Sequence, residues 1–94
     1  MPAFTVIAII DGDTFDVSPQ WQLNGQTGTR VRPAGCDAPE LHAYGGQGAK
    51  DKLSRLIYGQ QVDLRTAHRI DRDRLVCQVF FRNRNLADYF PECQ

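Results

Sequence analysis

Hydrophobic and polar residues alternate over several short segments of this 94-residue chain, a spacing typical of β-strands with one buried face. The segments predicted to form strands are residues 4–10, 14–17, 29–35, 61–65 and 74–81. The first is rich in branched apolar residues, so we expect it to be buried on both faces. Pro33 has no N–H to donate, so the strand that contains it is expected to be bulged or locally at an edge.

One stretch has the spacing of an amphipathic helix. Its apolar residues lie at positions 49, 53, 56 and 57, which form a single stripe on a helix over residues 48–58. Gly59 is well placed to end this helix. Asn24 and Gly25 predict a turn between strands, and Asn85 is expected to cap a short final helix. Five strands and one main helix predict a mainly β chain with some α structure, folded as a small closed barrel of the oligonucleotide-binding (OB) type.

Length and charge limit what the chain can do. Residues 1–94 form one small domain. Residues 1–48 hold five acidic and two basic residues, whereas residues 49–94 hold six acidic and nine basic ones. The basic half could face a polyanion, although the net charge of zero argues against strong nonspecific binding of duplex DNA. No segment is expected to span a membrane, and the compartment stays open: cytoplasmic as given, exported if a leader was removed.

Acidic residues on turns are the most informative polar feature of the chain. Asp11 and Asp13 flank one glycine, and Asp37 and Glu40 follow the strand that carries Arg32. Carboxylates on turns suit a hard cation such as Ca²⁺. An arginine beside such a site can bind a phosphate that the cation also binds. The alternative is that these acids only cap or bend the turns.

Four segments of the chain resemble the staphylococcal-nuclease-like (thermonuclease) family. They are residues 10–14, 31–40, 48–62 and 73–79, and they occur in the order found in that family. The resemblance implies an OB-fold barrel and a nuclease that uses Ca²⁺ to hydrolyse phosphodiester bonds of DNA or RNA. It further implies little sequence specificity and products that carry a 3′-phosphate.

The resemblance also assigns roles to individual acids. Asp13 and Asp37 would ligate calcium together with the carbonyl oxygen of Ala38. Asp11 would lie next to these ligands without coordinating the ion directly. Glu40 matches the family's candidate general base, which orients or deprotonates the attacking water. The alternative for Glu40 is an acid on a solvated loop.

Two arginines match the pair that holds the phosphate in this family, Arg32 and Arg74. A planar guanidinium group can donate to two phosphate oxygens at once, and it stays charged while negative charge builds up on them. The alternative for Arg32 is a surface strand residue. The alternative for Arg74 is an ordinary hairpin residue, paired with Asp71 or Asp73.

The chain departs from the family pattern in places that concern substrate binding. Arg72 and Asp73 stand where the family usually has Tyr-Gly, so Arg72 replaces a tyrosine that contacts the nucleotide. Tyr44, just beyond the acidic loop, could stack on a base of a single strand. The chain also stops soon after Leu86, where the family normally continues through one or two more helices. An uncovered apolar barrel face there could bind a partner, such as a second copy of the chain.

Three functions are therefore weighed for the chain. The first is a calcium-dependent nuclease, favoured because all the acid and arginine positions of the motifs are filled. The second is a non-catalytic OB-fold module that binds single-stranded nucleic acid without cutting it. The third is a protein-interaction domain, which the neutral net charge would suit.

Overall fold

The computed structural model describes residues 3–34 and 46–89 of the chain. In chain order the strands are β1 (Phe4–Asp11), β2 (Thr14–Leu23), β3 (Gln26–Pro33), β4 (Gln61–Asp71), β5 (Arg74–Phe81) and β6 (Arg84–Asn85). One α-helix, α1 (Gly46–Ile57), lies between β3 and β4 in the chain, and a short 3₁₀-helix (Leu86–Tyr89) follows β6. This confirms the prediction of a mainly β chain with one main helix and a short C-terminal one.

The five long strands close into a barrel. They are hydrogen-bonded in the order β3, β2, β1, β4, β5, and the two-residue β6 adds to the free edge of β5. The barrel closes because β3 and β5 also pair, in parallel, with Val31, Arg32 and Pro33 opposite Leu75, Val76 and Cys77. A five-stranded barrel of this kind is typical of the OB fold.

The barrel interior is filled by alternate residues of its strands. The most deeply buried strand residues, at most 2% exposed, include Val6, Phe15, Val17, Val31, Val62 and Val79. Helix α1 contributes Leu53 and Ile57 to the same core. Because successive strand residues point to opposite faces, burying Val31 turns its neighbours Arg30 and Arg32 outward.

Three strands run further than their hydrophobic pattern predicts. β3 begins at Gln26, three residues before its predicted start, and the other two are longer at their C-terminal ends. β2 continues past residue 17 to Leu23, and β4 continues past residue 65 to Asp71. Much of each extension is exposed, so it carries no regular alternation that would reveal it in the sequence. Pairing with β3 and β5 extends these strands, because the hydrogen bonds of a ladder do not depend on side-chain polarity.

Local turn and cap signals agree with the structure. Asn24 and Gly25 have φ of 53° and 81°, as a two-residue hairpin turn requires. The Asn85 side-chain oxygen accepts a hydrogen bond of 2.9 Å from the backbone N–H of Ala87. The pairing of β3 with β2 ends at Val31, whereas Pro33 pairs only with β5. Pro33 therefore lies where the strand is locally at an edge of the β2–β3 ladder, as expected. No helix in the described ranges is long and apolar enough to cross a membrane.

Candidate active site at the closing seam of the barrel

The tight turn between β1 and β2 holds the first part of the candidate site. The Asp11 carboxylate accepts a hydrogen bond of 3.1 Å from the backbone N–H of Asp13. The Thr14 hydroxyl donates a hydrogen bond of 3.1 Å to Oδ1 of Asp13. The Asp13 residue is only 8% exposed, so its carboxylate is both positioned by its neighbours and largely shielded from water.

Arg32 approaches this turn from β3. Its Nε lies 3.4 Å from Oδ2 of Asp13, a distance that makes an ion pair, although the N–H is not aligned for a hydrogen bond. The Arg32 side chain is 22% exposed. Arg30, two residues earlier on the same face of β3, instead pairs with Asp16 and is 46% exposed. The pair formed by Arg32 is therefore the better shielded of the two, and water screens it less.

Arg74 reaches the same turn from the first residue of β5. Its Nη1 donates to the Thr14 hydroxyl at 3.4 Å, which links β5 to the turn between β1 and β2. Its Nη2 lies 3.4 Å from Oδ2 of Asp71, and its Nε donates to the Asp71 carbonyl oxygen at 3.4 Å. Arg74 is thus the hairpin residue paired with Asp71 that one interpretation of the sequence predicted. Its contact with Thr14 also brings it to the turn that holds Asp13.

The two aspartates of the turn differ in pKa. Burial, together with the hydrogen bond and negative charge of Asp11, raises the pKa of Asp13 to about 6. Burial acts to raise the pKa of Asp11 as well, but its hydrogen bonds with Asp13 and Thr14 and the charge of Arg74 outweigh this and lower it. Asp13 is therefore the aspartate of the pair that takes up a proton first as the solution becomes more acidic.

Two contributors to the site were not predicted as site residues, although Asp71 was one of the two predicted partners of Arg74. Thr14 joins the acidic turn to Arg74 through one hydroxyl, and Asp71 fixes the other side of the Arg74 guanidinium. The only signal for Thr14 was its place directly after the second aspartate of the turn. The local sequence does not show whether Arg74 pairs with Asp71 or with Asp73. The geometry of the hairpin decides which of the two carboxylates lies beside the guanidinium group.

Several predicted site residues lie outside the described ranges: Asp37, Ala38, Glu40 and Tyr44. Their roles stay predictions. Arg72 is described, and it lies exposed at the tip of the turn between β4 and β5. Within residues 3–34 and 46–89, no three His, Cys, Asp or Glu residues lie close enough together to hold a metal ion. The described part of the predicted calcium site is thus the pair of Asp11 and Asp13.

The chemistry of this pair suits a hard cation. Both aspartates offer oxygen atoms only, the donor type that Ca²⁺ prefers over nitrogen or sulfur. The raised pKa of Asp13 shows that the protein alone incompletely compensates a second negative charge in the turn. A divalent cation beside the turn would supply that compensation, so the two aspartates are compatible with a hard cation, and the calcium site itself stays a prediction.

The sequence is similar to two known proteins. Over 72 residues it is 38% identical to a probable endonuclease of Leptosphaeria maculans, a match that covers 70% of this chain and 24% of that protein. Over 67 residues it is 42% identical to a micrococcal nuclease of Shigella flexneri, covering 71% of this chain and 35% of that protein. The chain thus spans about a third or less of the length of each relative. No family model matches it. The two similarities, together with the barrel and the order of the motifs, identify the chain as a member of the staphylococcal-nuclease-like family.

Proposed function

We propose that this domain is a calcium-dependent nuclease that hydrolyses phosphodiester bonds of DNA or RNA, with single strands preferred. One observation carries the proposal: Arg32 and Arg74, from two different strands, both contact the turn formed by Asp13 and Thr14. The printed names of the two relatives, a probable endonuclease and a micrococcal nuclease, support the same activity.

The two arginines are suited to hold a phosphodiester during attack. Negative charge builds up on the non-bridging oxygens of phosphorus, and a guanidinium group can donate to two such oxygens at once. Both side chains are already oriented by carboxylates, Arg32 by Asp13 and Arg74 by Asp71. Little reorganisation is then needed when the substrate binds, and groups aimed in advance at developing charge contribute most to catalysis.

The remaining roles in the proposal belong to Asp13 and Arg72 and to four residues outside the described ranges. Asp13 and Asp37, with the Ala38 carbonyl, would hold calcium, which when bound neutralises charge on the phosphate and favours ionisation of water. Glu40 takes the proton of the attacking water as the water oxygen bonds to phosphorus. The bond from phosphorus to the 5′ oxygen breaks, and that oxygen takes a proton from solvent, which leaves a 3′-phosphate and a 5′-hydroxyl. Tyr44 stacks on a neighbouring base, and Arg72 contacts the strand beside it.

The experiment that tests the proposal is cleavage of an end-labelled single-stranded oligonucleotide, with calcium or with a chelator of calcium. We expect cutting that requires calcium and that disappears in Glu40→Gln. Arg74→Gln removes one phosphate contact and should lower the rate by about a hundredfold or more. Arg30→Gln is the control for the loss of one arginine charge. Arg30 lies on the same face of β3 as Arg32, but it pairs with Asp16.

The other functions predict different results. Binding of the oligonucleotide without cutting, in the presence of calcium, would contradict the nuclease and favour the non-catalytic binding module. Neither binding nor cutting would favour a protein-interaction domain. Cutting that persists in the chelator would contradict the calcium requirement alone.

A further inference from the structure

A second group of cations lies at the far end of β5 from Arg74. Arg82 and Arg84 flank the turn between β5 and β6, and Lys52 and Arg55 lie on α1. A groove of about 300 Å³, lined by Lys52, Arg55, Leu56 and Tyr89, joins the helix to the 3₁₀-helix. The guanidinium carbon of Arg84 lies 4.6 Å from the centroid of the Tyr89 ring, which brings the turn to the same place. We call Lys52, Arg55, Arg82, Arg84 and Tyr89 the distal basic surface.

Aromatic rings hold the two arginines of this surface in position. Arg82 stacks over Phe81 at 5.0 Å, and Arg84 over Tyr89 at 4.6 Å. The rings support each other, since their centroids are 5.9 Å apart and the Tyr89 hydroxyl donates a 2.9 Å hydrogen bond to the Phe81 carbonyl. Phe81 is 4% exposed and belongs to the core. Both arginines are exposed, and the rings beneath them restrict the positions of their guanidinium groups.

The charge of these arginines is not balanced by the acids nearby. Within residues 3–34 and 46–89, Arg30, Arg32, Arg65 and Arg74 each pair with an aspartate, whereas Arg82 and Arg84 do not. Arg84 donates to the backbone carbonyl of Asp88 at 3.4 Å, which leaves its charge uncompensated by a carboxylate. Asp88 itself is exposed. Two exposed arginines without a carboxylate partner in the described ranges, close to a groove that Leu56 and Tyr89 help to line, therefore suit an anionic partner.

We propose that the distal basic surface binds the sugar-phosphate backbone of the substrate strand at a site separate from the one that cuts it. This inference rests on the proposed function, because it makes the same strand the ligand of both sites. Stacked guanidinium groups donate to phosphate oxygens in a fork geometry that lysine lacks. The apolar groove beside them accommodates a sugar or the face of a base, as in other single-strand-binding surfaces.

The position of the surface sets the length of strand that can use it. Arg74 and Arg82 are separated along β5 by a distance of about 26 Å at about 3.3 Å per residue. A stacked strand advances about 3.4 Å per nucleotide, so it must be about eight nucleotides long to contact both sites. Shorter oligonucleotides contact one site at a time. Longer strands gain affinity from the second site, since its binding becomes intramolecular.

The test measures binding separately from cutting. Fluorescence anisotropy of a labelled single strand of about 30 nucleotides, in the presence of a chelator, reports binding while hydrolysis is suppressed. For Arg82→Gln/Arg84→Gln we expect dissociation constants about tenfold larger, with the slope of log K against log salt smaller by about 1.4. Oligonucleotides of about four nucleotides contact one site at a time, so the variant should weaken their binding much less than that of the long strand.

Two further variants separate charge from folding. Arg82 and Arg84 pack on core rings, so a second pair, Lys52→Gln/Arg55→Gln, removes charge from α1 without disturbing the stacks. It should weaken binding of the long strand in the same direction. Arg69→Gln is the matched control, because Arg69 is an exposed arginine of β4 outside the distal basic surface, and it should bind as the wild type does.

The outcomes distinguish this inference from the proposed function. Unchanged binding of the long strand in both double variants overturns the distal site, even if the protein cuts DNA normally. Binding that is lost in both variants supports it, even if no oligonucleotide is cut in calcium, in which case only the nuclease proposal fails. Tighter binding of poly-glutamate than of DNA, lost in the same variants, overturns the nucleic-acid assignment in favour of an acidic protein.

Discussion

Arg32 lies with its Nε 3.4 Å from Oδ2 of Asp13, although all of β2 separates the two residues in the chain. The contact joins β3 to the turn between β1 and β2. It places a permanent positive charge beside a carboxylate that is mostly buried, and so next to the oxygen atoms that would hold a cation. A phosphate could therefore bind that cation and Arg32 at the same time.

The first prediction concerns the shape of the Arg32 group rather than its charge. Arg32→Lys keeps a positive charge but loses the planar fork that can hold two phosphate oxygens. We expect kcat to fall by about a hundredfold or more, as when a donor to developing charge is lost. The measurement is the rate of cleavage of a short labelled oligonucleotide at saturating concentration.

Arg30→Lys serves as the control for Arg32→Lys. Arg30 lies on the same face of the same strand, but it is paired with Asp16 and more exposed. We expect its kcat to stay within about twofold of wild type, because exposed pairs contribute little. Equal losses in the two variants would contradict a specific role for Arg32.

The second prediction concerns Thr14, whose hydroxyl donates to Asp13 and accepts from Arg74. Thr14→Val keeps the volume of the side chain and removes both hydrogen bonds. Hydrogen bonds to charged groups contribute about 1.5–3 kcal/mol, so we expect kcat to fall by about tenfold or more as Arg74 loses its position. Thr14→Ser retains the hydroxyl and should restore most of the rate.

The rescue by serine separates positioning from folding. Thr14 is 2% exposed, so both substitutions change a buried site and both are expected to lower the free energy of unfolding somewhat. Only the valine variant should lose activity strongly. A serine variant as slow as the valine variant would show that the hydroxyl does not position Arg74.

The third prediction is a pH dependence of stability that originates at Asp13. Its pKa is raised from 3.8 to about 6 in the folded protein, chiefly by burial. The folded state therefore binds a proton that the unfolded chain has already lost, and the free energy of unfolding falls as pH rises from about 4 to about 6. The loss is about 1–3 kcal/mol, from about 1.4 kcal/mol per unit of pKa shift. The pKa of Asp11 is lowered, so its effect appears in more acidic solution.

Urea unfolding between pH 4.5 and 7.5, followed by the fluorescence of the single tryptophan, measures this dependence. Asp13→Asn cannot lose a proton in this range, and its stability should be nearly independent of pH between 4.5 and 6.5. The wild type with excess calcium should also lose less stability as pH rises, because the ion stabilises the ionised carboxylate. An asparagine variant with the same pH dependence as wild type would assign the effect to another group.

The fourth prediction concerns a close approach between β3 and β2. A Cβ atom at Gly28 would lie 2.7 Å from Cζ2 of Trp21, whose ring is 3% exposed and donates Nε1–H to the Arg30 carbonyl at 2.8 Å. The hydrogen bond and the burial of the ring hold it in place, so it cannot easily move away. Gly28→Ala should therefore lower the free energy of unfolding by about 1–3 kcal/mol, as overpacking does.

Gly48→Ala is the matched control for Gly28→Ala. Gly48 lies in α1, and a Cβ there would meet nothing within 4 Å. Alanine is the better helix former, so this variant should be more stable than wild type by about 0.5–1 kcal/mol. Urea unfolding of the two variants gives the comparison, and a Gly28→Ala variant as stable as wild type would contradict the close packing.

Much of the fold follows from local patterns. β5 has the bounds that its alternating residues predict, and Gly59 has the positive φ expected of a residue that ends a helix. Pattern alone missed the outer halves of β2 and β4, since their residues are largely exposed and only pairing with neighbouring strands makes them regular. The sequence left two interpretations of Arg74 open. The structure shows its pair with Asp71 and its contact with Thr14, and its role in holding phosphate stays a prediction.

The sequence by itself determined which groups the protein has to work with: acids on a turn, arginines on strand positions that face outward, and motifs in a family order. These follow from residue identity and from spacings of two to four residues, which local backbone geometry converts directly into faces and turns. Only the tertiary structure decided that Asp13, Arg32 and Arg74 lie together and that Arg82 and Arg84 lie apart from them. Those distances depend on the parallel pairing of β3 with β5, a contact between remote segments whose register no local pattern encodes.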